Sequence, residues 1–424
     1  MKANTQRCIE VWADWAGLGG PAFMGTLCAT PARSKEIFSF EYDRRWLGNW
    51  PAQTLDPALA LYQGPQYPAA GKDNFGLFLD SSPDRWGRRL MQRREAQAAR
   101  EEKRDPRPLR ESDYLLGVYD GHRMGGLRFR TTPGGPFLDD NAALASPPWT
   151  SLRELENASL QLERDDSEKD PQYSAWLRML IAPGGSLGGA RPKAGVVDPQ
   201  GHLWIAKFPS PTDETDVGAW ECVVHRLALA AGVTVAPGRA QKFSSRHHTF
   251  LAKRFDRTED GQRHHFASAM TLLGRSDGDD ASSGASYLEI AEFIMRQGAR
   301  AEEDLAQLWR RIVFSICVSN VDDHLRNHGF LLRPEGWALS PAYDMNPVAT
   351  ADGLKLNVSE YDNAQDLDLA KEVAPYFRLT ALQAGKVISA IVAAVNGWQE
   401  TAASLGIPAS EQARMARAFR VASR

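Results

Sequence analysis

Asp322, Asn327 and Asp344 have the residue types and the chain order that phosphoryl transfer requires. That reaction asks for little covalent help: a phosphate cradle, cations to neutralise the phosphates, and a group that orients a hydroxyl and accepts its proton. The stretch Asn320-Val321-Asp322-Asp323-His324-Leu325-Arg326-Asn327-His328 follows an amphipathic helical pattern and precedes an apolar strand, Gly329–Leu332. Arg333-Pro334-Glu335-Gly336 reads as a turn and Trp337–Ser340 as the returning strand, so Asp344 comes back toward the loop that holds Asp322 and Asn327. An Asp for the substrate hydroxyl, with an Asn and a second Asp as hard oxygen ligands for Mg²⁺, is the working set of protein kinases in the same order. Two other readings stay open. Asp322, Asp323, His324 and His328 could form a metal site instead, and His324 and His328 have the i, i+4 spacing of a zinc-protease helix, although Leu325 stands where that motif needs its Glu. A polar loop rich in Asp and His can also be purely structural.

A second constellation lies upstream. Gly184-Gly185-Ser186-Leu187-Gly188-Gly189 leads through Ala190, Arg191 and Lys193 into a strand. Glycines let backbone amides approach phosphate oxygens, so Gly188, Gly189 and Ala190 are candidate phosphate contacts, with Lys193 adding charge. The stretch is no Walker A loop: it lacks Gly-Lys-Ser/Thr and enters a strand rather than a helix. An ordinary hairpin entry explains the glycines equally well. Lys207, on the partner strand, is placed to reach nucleotide phosphates, though a strand lysine is commonly just solvated. Glu221, early in the next helix, is a candidate partner for Lys207, as kinases pair a strand Lys with a helix Glu.

The elements that must position these groups follow from periodicity. The first 80 or so residues alternate short strand-like runs (Cys8–Trp12, Met24–Cys28, Ile37–Tyr42) with turn residues, which implies a small β-rich unit. Asp84 to about Arg104 reads as a charge-dense helix; a solvated face is the plain explanation, a partner or nucleic-acid contact the other. Residues 133–148 resemble a linker. A hairpin (Ala194–Val197, Leu203–Phe208), a helix over 217–231 and a strand over 249–255 follow. Leu305, Leu308, Trp309, Ile312, Val313 and Ile316 mark one face of a strong amphipathic helix, and the last 50 residues are helical in pattern. The predicted fold class is therefore α+β: a two-lobed protein-kinase-like fold with a small β-rich N-terminal subdomain and a mainly helical C-terminal lobe. The predicted divisions are 1–132 (β-rich subdomain plus charged helical insertion), 133–260 (small lobe) and 261–424 (helical catalytic lobe).

Composition sets the outer limits. Hydrophobic residues make up 43% of the 424 and charged residues 24%, the balance of a globular chain with a large core. A formal net charge of −3 gives no global pull toward nucleic acid or membrane. Cys8, Cys28, Cys222 and Cys317 lack Cys-x-x-Cys spacing, so neither a zinc knuckle nor a disulfide framework is predicted. No apolar run reaches the roughly 18–20 residues that span a bilayer. Met1 to Val11 lacks a signal-peptide pattern, and a cytoplasmic location is expected.

At these residues the sequence resembles the HipA family of bacterial toxin kinases. The likeness rests on Ser186–Lys193 (Ser-Leu-Gly-Gly-Ala-Arg-Pro-Lys), Ala206-Lys207-Phe208-Pro209, Leu251–Arg257, the Asn320–Asn327 loop and Ser340-Pro341-Ala342-Tyr343-Asp344. Phe40–Asp43 followed by Trp46-Leu47 looks like the family's N-terminal subdomain. The resemblance implies a serine/threonine kinase using ATP and Mg²⁺, with Asp322 as catalytic base, Asn327 and Asp344 holding metal, and Lys207 contacting the phosphates. It further implies that Lys253 to Phe255 run past the adenine as the hinge, and that Ser186 is an inhibitory autophosphorylation site. A HipB-like helix-turn-helix antitoxin would be the partner, with DNA reached only through it, and the protein substrate would lie in translation. The insertion over 85–110 and the absence of an acidic pair in Gln262–Leu273 depart from the best-known branch. A small-molecule phosphotransferase on the same fold, and a non-catalytic protein that occupies an antitoxin, are the competing functions.

Overall fold

The computed structural model describes residues 6–33, 35–49, 54–138, 147–164, 166–181 and 191–423. The chain divides into two compact units that are each assembled from separate stretches: Met1–Pro211 with Asp256–Ala267, and Thr212–Phe255 with Ser268–Arg424.

In the first unit, β1 (Arg7–Ala13), β2 (Ala22–Ala32), β3 (Lys35–Tyr42) and β4 (Leu127–Arg130) form an antiparallel sheet of order β3-β2-β1-β4. The three strands predicted near the N-terminus are all present. Alternation sets their faces: Ile9, Val11 and Ala13 of β1 point into the core, as do Phe38, Phe40 and Tyr42 of β3. Phe78, on the short helix α2 (Gly76–Leu79), bridges Phe40 and Phe129 across that face with ring centroids 5.5 and 6.2 Å away. A six-residue helix, α1 (Arg44–Asn49), follows β3 and buries Trp46. One expectation is corrected here: Cys8 and Cys28 are joined by a disulfide. The β1–β2 register sets them directly opposite each other, a proximity created by strand pairing rather than by any local spacing motif.

The charge-dense segment forms α3 (Arg85–Glu101), capped by Asp84, whose carboxylate accepts the Gly87 N–H at 2.8 Å. It is integral to the unit, since Trp86, Leu90 and Met91 are buried. Arg88 forks onto Glu111 at the start of α4 (Glu111–Leu116), and Arg93 donates to the Leu162 carbonyl that ends α5 (Leu152–Leu162) at 2.6 Å. α6 (Tyr173–Ile181) precedes the hairpin of β5 (Lys193–Val197) and β6 (Leu203–Lys207), whose register pairs Lys193 with Lys207.

The second unit opens with α7 (Val217–Ala230), capped by Asp216 and closed by Gly232 at φ +74°. Trp220 of α7 lies 6.1 Å from both Trp398 and Phe419 and donates to Glu411, which ties residues 212–255 to the C-terminal helices and explains why this stretch groups with them. β7 (Gly238–Gln241) pairs with β8 (Thr249–Lys253), and the chain passes between units within β9 (Phe266–Ser268). After α8 (Ala269–Leu272), α9 (Tyr287–Gln297) starts at a capping box of Ser286 and Glu289. The central helix is α10 (Ala301–Val318). Its predicted face, Leu305 to Ile316, is completely buried, and each such side chain contributes roughly 1.5–3 kcal/mol. Beyond it β10 (Gly329–Arg333) and β11 (Gly336–Leu339) form the predicted hairpin. Gly336 sits at φ +141°, and a Cβ there would stand 2.5 Å from the Gln297 carbonyl, so only glycine fits. No helix among the described residues is long and apolar enough to cross a membrane.

Candidate active site

The site is built where α10 stops. Ser319 takes a left-handed conformation at φ +49°, and the Asn320 N–H closes back on the Ser315 carbonyl at 2.9 Å, which ends the helix and releases the chain into a loop. Asp322 is exposed on that loop, and its carboxylate makes no hydrogen bond among the described residues, leaving it open to an incoming hydroxyl. A single turn of 3₁₀-helix over Leu325–Asn327 follows, so His324 and His328 are not on an α-helix and the zinc-protease geometry does not form. Among the described residues no cluster of three or more His, Cys, Asp or Glu side chains assembles.

Asn327 is oriented from within. Its Nδ2 donates to the Asp322 carbonyl at 3.1 Å and its N–H donates to the His324 carbonyl at 2.8 Å. Its Oδ1 is buried and accepts no hydrogen bond. A buried amide oxygen without a partner loses its hydration for nothing in return, at a cost of about 1–3 kcal/mol, unless a ligand supplies the missing contact. A hard cation fits that oxygen, and Mg²⁺ is bound by such donors. Asp344 is half-buried and sits at φ +58°, a region that costs a non-glycine residue about 1–3 kcal/mol and persists only where the surroundings enforce it.

Bonds on both sides of Asp344 enforce it. The Tyr343 hydroxyl donates to the Arg326 carbonyl at 2.6 Å. The Asn346 N–H donates to Asn320 Oδ1 at 3.1 Å, and the Val348 N–H to the Ser319 carbonyl at 3.1 Å. The segment carrying Asp344 is thus stitched to both ends of the loop carrying Asp322 and Asn327, so the structure brings these three predicted residues into one neighbourhood.

The sequence offered Asp323 only as a possible metal ligand with Asp322, His324 and His328, and the structure gives it hydrogen-bond partners instead. Asp323 is fully enclosed; its Oδ2 accepts the Tyr287 hydroxyl at 2.7 Å and the Ser315 hydroxyl at 3.4 Å, and His328 Nε2 lies 3.1 Å from its Oδ1. Burial alone would raise this carboxyl, but the His328 charge and hydrogen bonds hold it below the usual carboxylate range. Burial pushes the Arg311 guanidinium down to about 10 against the opposing pull of Asp323 and Asp304, and Arg311 donates to the Ser340 carbonyl at the end of the hairpin. The contact to Tyr287, 36 positions earlier, is tertiary, and no local spacing signals it.

The other predicted residues are placed as follows. Lys193 is buried, its ammonium 2.9 Å from the carboxylate of Asp84 and its carbonyl accepting from Trp86 Nε1. Lys207 is half-buried at the end of β6 in the first unit, and Glu221 is buried on α7 in the second. Lys253 ends β8, its N–H donating to the Pro237 carbonyl at 2.8 Å, and the Phe255 ring lies 5.4 Å from that of Tyr343. Ser186, Gly188, Gly189 and Ala190 lie outside the described residues.

A family model described as the HipA-like C-terminal domain matches residues 185–402 of the 424, a span that contains every site residue the sequence predicted. The chain belongs to the HipA family. It is 27% identical over 210 residues to "Putative kinase Y4mE" of Sinorhizobium fredii, which covers 48% of this chain and 43% of that one. It is 26% identical over 184 residues to a Haemophilus influenzae protein named "Putative kinase", covering 39% and 53%. The chain thus spans about half the length of these curated relatives. Among solved structures, HipA of Shewanella oneidensis MR-1, in a complex with HipB and operator DNA, superposes with a TM-score of 0.61 at 17% identity, covering 98% of this chain and 95% of that one. That likeness establishes the fold: α+β and kinase-like, as the sequence predicted.

Proposed function

We propose that the protein is an ATP- and Mg²⁺-dependent serine/threonine protein kinase, the toxin of a HipBA-like pair. The observation that carries this reading is the buried, unpartnered Oδ1 of Asn327, whose Nδ2 is held on the Asp322 carbonyl, in a loop bonded to the segment that carries the strained Asp344. When bound, Mg²⁺ would neutralise the triphosphate, with Asn327 and Asp344 as its protein ligands. Asp322 would accept the proton of the attacking hydroxyl as its oxygen bonds to the γ-phosphorus and the bond to the ADP oxygen breaks. Lys207 would meet the phosphates, the Gly188–Ala190 amides would cradle them, and Lys253 to Phe255 would border the adenine. Phosphate on Ser186 would add about −1.5 to −2 charges where the nucleotide phosphates belong, and so switch the loop off. The neighbouring complex of HipA with HipB and operator DNA supports a HipB-like antitoxin as partner, and the family resemblance a substrate in translation.

Calorimetric titration with ATP and Mg²⁺, followed by an autophosphorylation assay on the wild type and Asp322→Ala, tests this. The expected outcome is nucleotide binding in both proteins and phosphate transfer only in the wild type. Absence of Mg²⁺-dependent ATP binding would overturn the kinase reading. Binding with transfer to an aminoglycoside or sugar, and none to protein, would convert it to a small-molecule phosphotransferase.

A further inference from the structure

Behind the exposed loop, five buried side chains form a continuous polar chain. Asn320 Oδ1 accepts the Asn346 N–H at 3.1 Å, and Asn320 Nδ2 donates to Ser315 Oγ at 3.3 Å. Ser315 Oγ donates to Asp323 Oδ2, which also accepts from the Tyr287 hydroxyl, and His328 Nε2 stands 3.1 Å from Asp323 Oδ1. None of the five is more than 5% exposed. The chain ends beside all three residues assigned to chemistry: Asp323 follows Asp322, His328 follows Asn327, and Asn346 stands two residues after Asp344.

We infer that Asn320 is a positioning residue for the metal-binding Asp344, acting through the Asn346 backbone and supported by Ser315. This rests on the kinase reading and adds a residue to it. Asp344 occupies a left-handed conformation that an irregular segment holds only under constraint. One constraint before it is the Tyr343 bond to Arg326; after it along the chain come the amide of Asn346 held by Asn320 and then the Val348 N–H on the Ser319 carbonyl. Asn320 is in turn fixed by α10 at both its backbone N–H and its Nδ2, each bonded to Ser315. The buried central helix α10 therefore sets the orientation of Asp344, and losing the Asn320 side chain lets that segment relax while the hairpin stays paired. A hydrogen-bonded network of this kind fixes geometry, where an apolar core would supply stability alone.

The test uses the full chain and two variants, Asn320→Ala and Ser315→Ala. Amide hydrogen exchange is read at Asn346 and at Leu308–Ile316 of α10, and phosphotransfer is titrated with Mg²⁺. In Asn320→Ala the Asn346 amide is expected to exchange about tenfold faster or more, with the α10 amides unchanged. The Mg²⁺ needed for half-maximal transfer is expected to rise about fivefold, with kcat at saturating Mg²⁺ within about twofold of wild type. Ser315→Ala, a smaller change, moves both readouts in the same direction by less, and it decides the matter if Asn320→Ala does not fold. An unchanged Asn346 exchange rate with unchanged Mg²⁺ dependence overturns the inference. A lower kcat with no shift in Mg²⁺ dependence also overturns it, because that is what loss of stability alone produces. If the wild type transfers no phosphate, the kinase reading fails by itself, and the exchange data still decide whether Asn320 holds this segment.

Discussion

Lys193 in the first unit and Asn327 in the second were both predicted ligands, and folding treats them oppositely. Lys193 is enclosed and neutralised: Asp84 sits 2.9 Å from its ammonium while also capping α3. Asn327 is equally enclosed, yet its NH₂ is used to hold the Asp322 carbonyl and its Oδ1 is left with nothing. A charged residue in the right place serves the fold when the chain supplies its counter-charge. A buried polar atom that the chain leaves unsatisfied is the stronger sign of a ligand, because its burial carries a cost that only an added contact recovers.

The largest effect should come from breaking the second case. Asp344→Ala is expected to lower phosphotransfer on the order of 10²–10³-fold or more, since it removes a charged group that would stabilise the transferring phosphoryl through its metal. Asn327→Ala is expected to lose less and to raise the Mg²⁺ requirement. Single-turnover assays across a Mg²⁺ series check both. Activity near wild type in Asp344→Ala would erase the distinction drawn here.

The first case breaks as stability. Lys193→Met leaves the Asp84 carboxylate buried and uncompensated, at an expected cost of about 3–5 kcal/mol. Combining it with Asp84→Asn, which keeps a capping oxygen for Gly87, should recover most of that loss. Urea denaturation measures both, and the KM for ATP of the folded double variant sharpens the contrast. An unchanged KM marks Lys193 as structural, and a rise of tenfold or more would return it to the phosphates.

The first unit holds a further buried group whose charge the fold suppresses. His265 is buried and stacked on Trp15 at 4.8 Å, and burial pushes its imidazole down to about 3. The unfolded chain protonates this group near its ordinary value of about 6.5, so between those two values the unfolded state binds the extra proton. Stability is therefore lost as pH falls below about 6.5, at roughly 1.4 kcal/mol per pH unit. His265→Phe keeps a ring against Trp15 and removes the titration. The wild type should lose about 2 kcal/mol more than the variant between pH 6.5 and 5, as read by urea midpoints. Parallel pH profiles would refute this.

Much of the second unit was legible because its signals are local. The stripe from Leu305 to Ile316 specified α10, and Pro334-Glu335-Gly336 specified the turn that returns the chain toward Asp344. What sequence could not give are partners fixed by tertiary packing: Asp84 for Lys193, 109 positions away, and Tyr287 for Asp323, 36 away. The Cys8–Cys28 disulfide was missed for a related reason, since it depends on the register of two strands and no spacing rule encodes that. The charged segment was recognised as a helix, but its apolar stripe of Trp86, Leu90 and Met91 was outweighed by its arginines, and its place in the core of the first unit went unseen.

Those arginines give the smallest effect. Arg88 forks onto both oxygens of Glu111 at 2.5 and 2.7 Å, with its guanidinium 4.5 Å from the Tyr114 ring centroid. The two side chains are 27% and 20% exposed, so water still competes for both charges. Exposed ion pairs are worth about 0.2–1 kcal/mol, and the bidentate geometry and partial burial place this one toward the upper end. A double-mutant cycle of Arg88→Ala and Glu111→Ala, read by urea denaturation, should give a coupling near 1 kcal/mol that shrinks in 1 M salt. A coupling of 3 kcal/mol or more would mean that this pair behaves like the enclosed Lys193–Asp84 pair. In that event exposure would no longer separate the charges that hold the first unit together from those that only decorate α3.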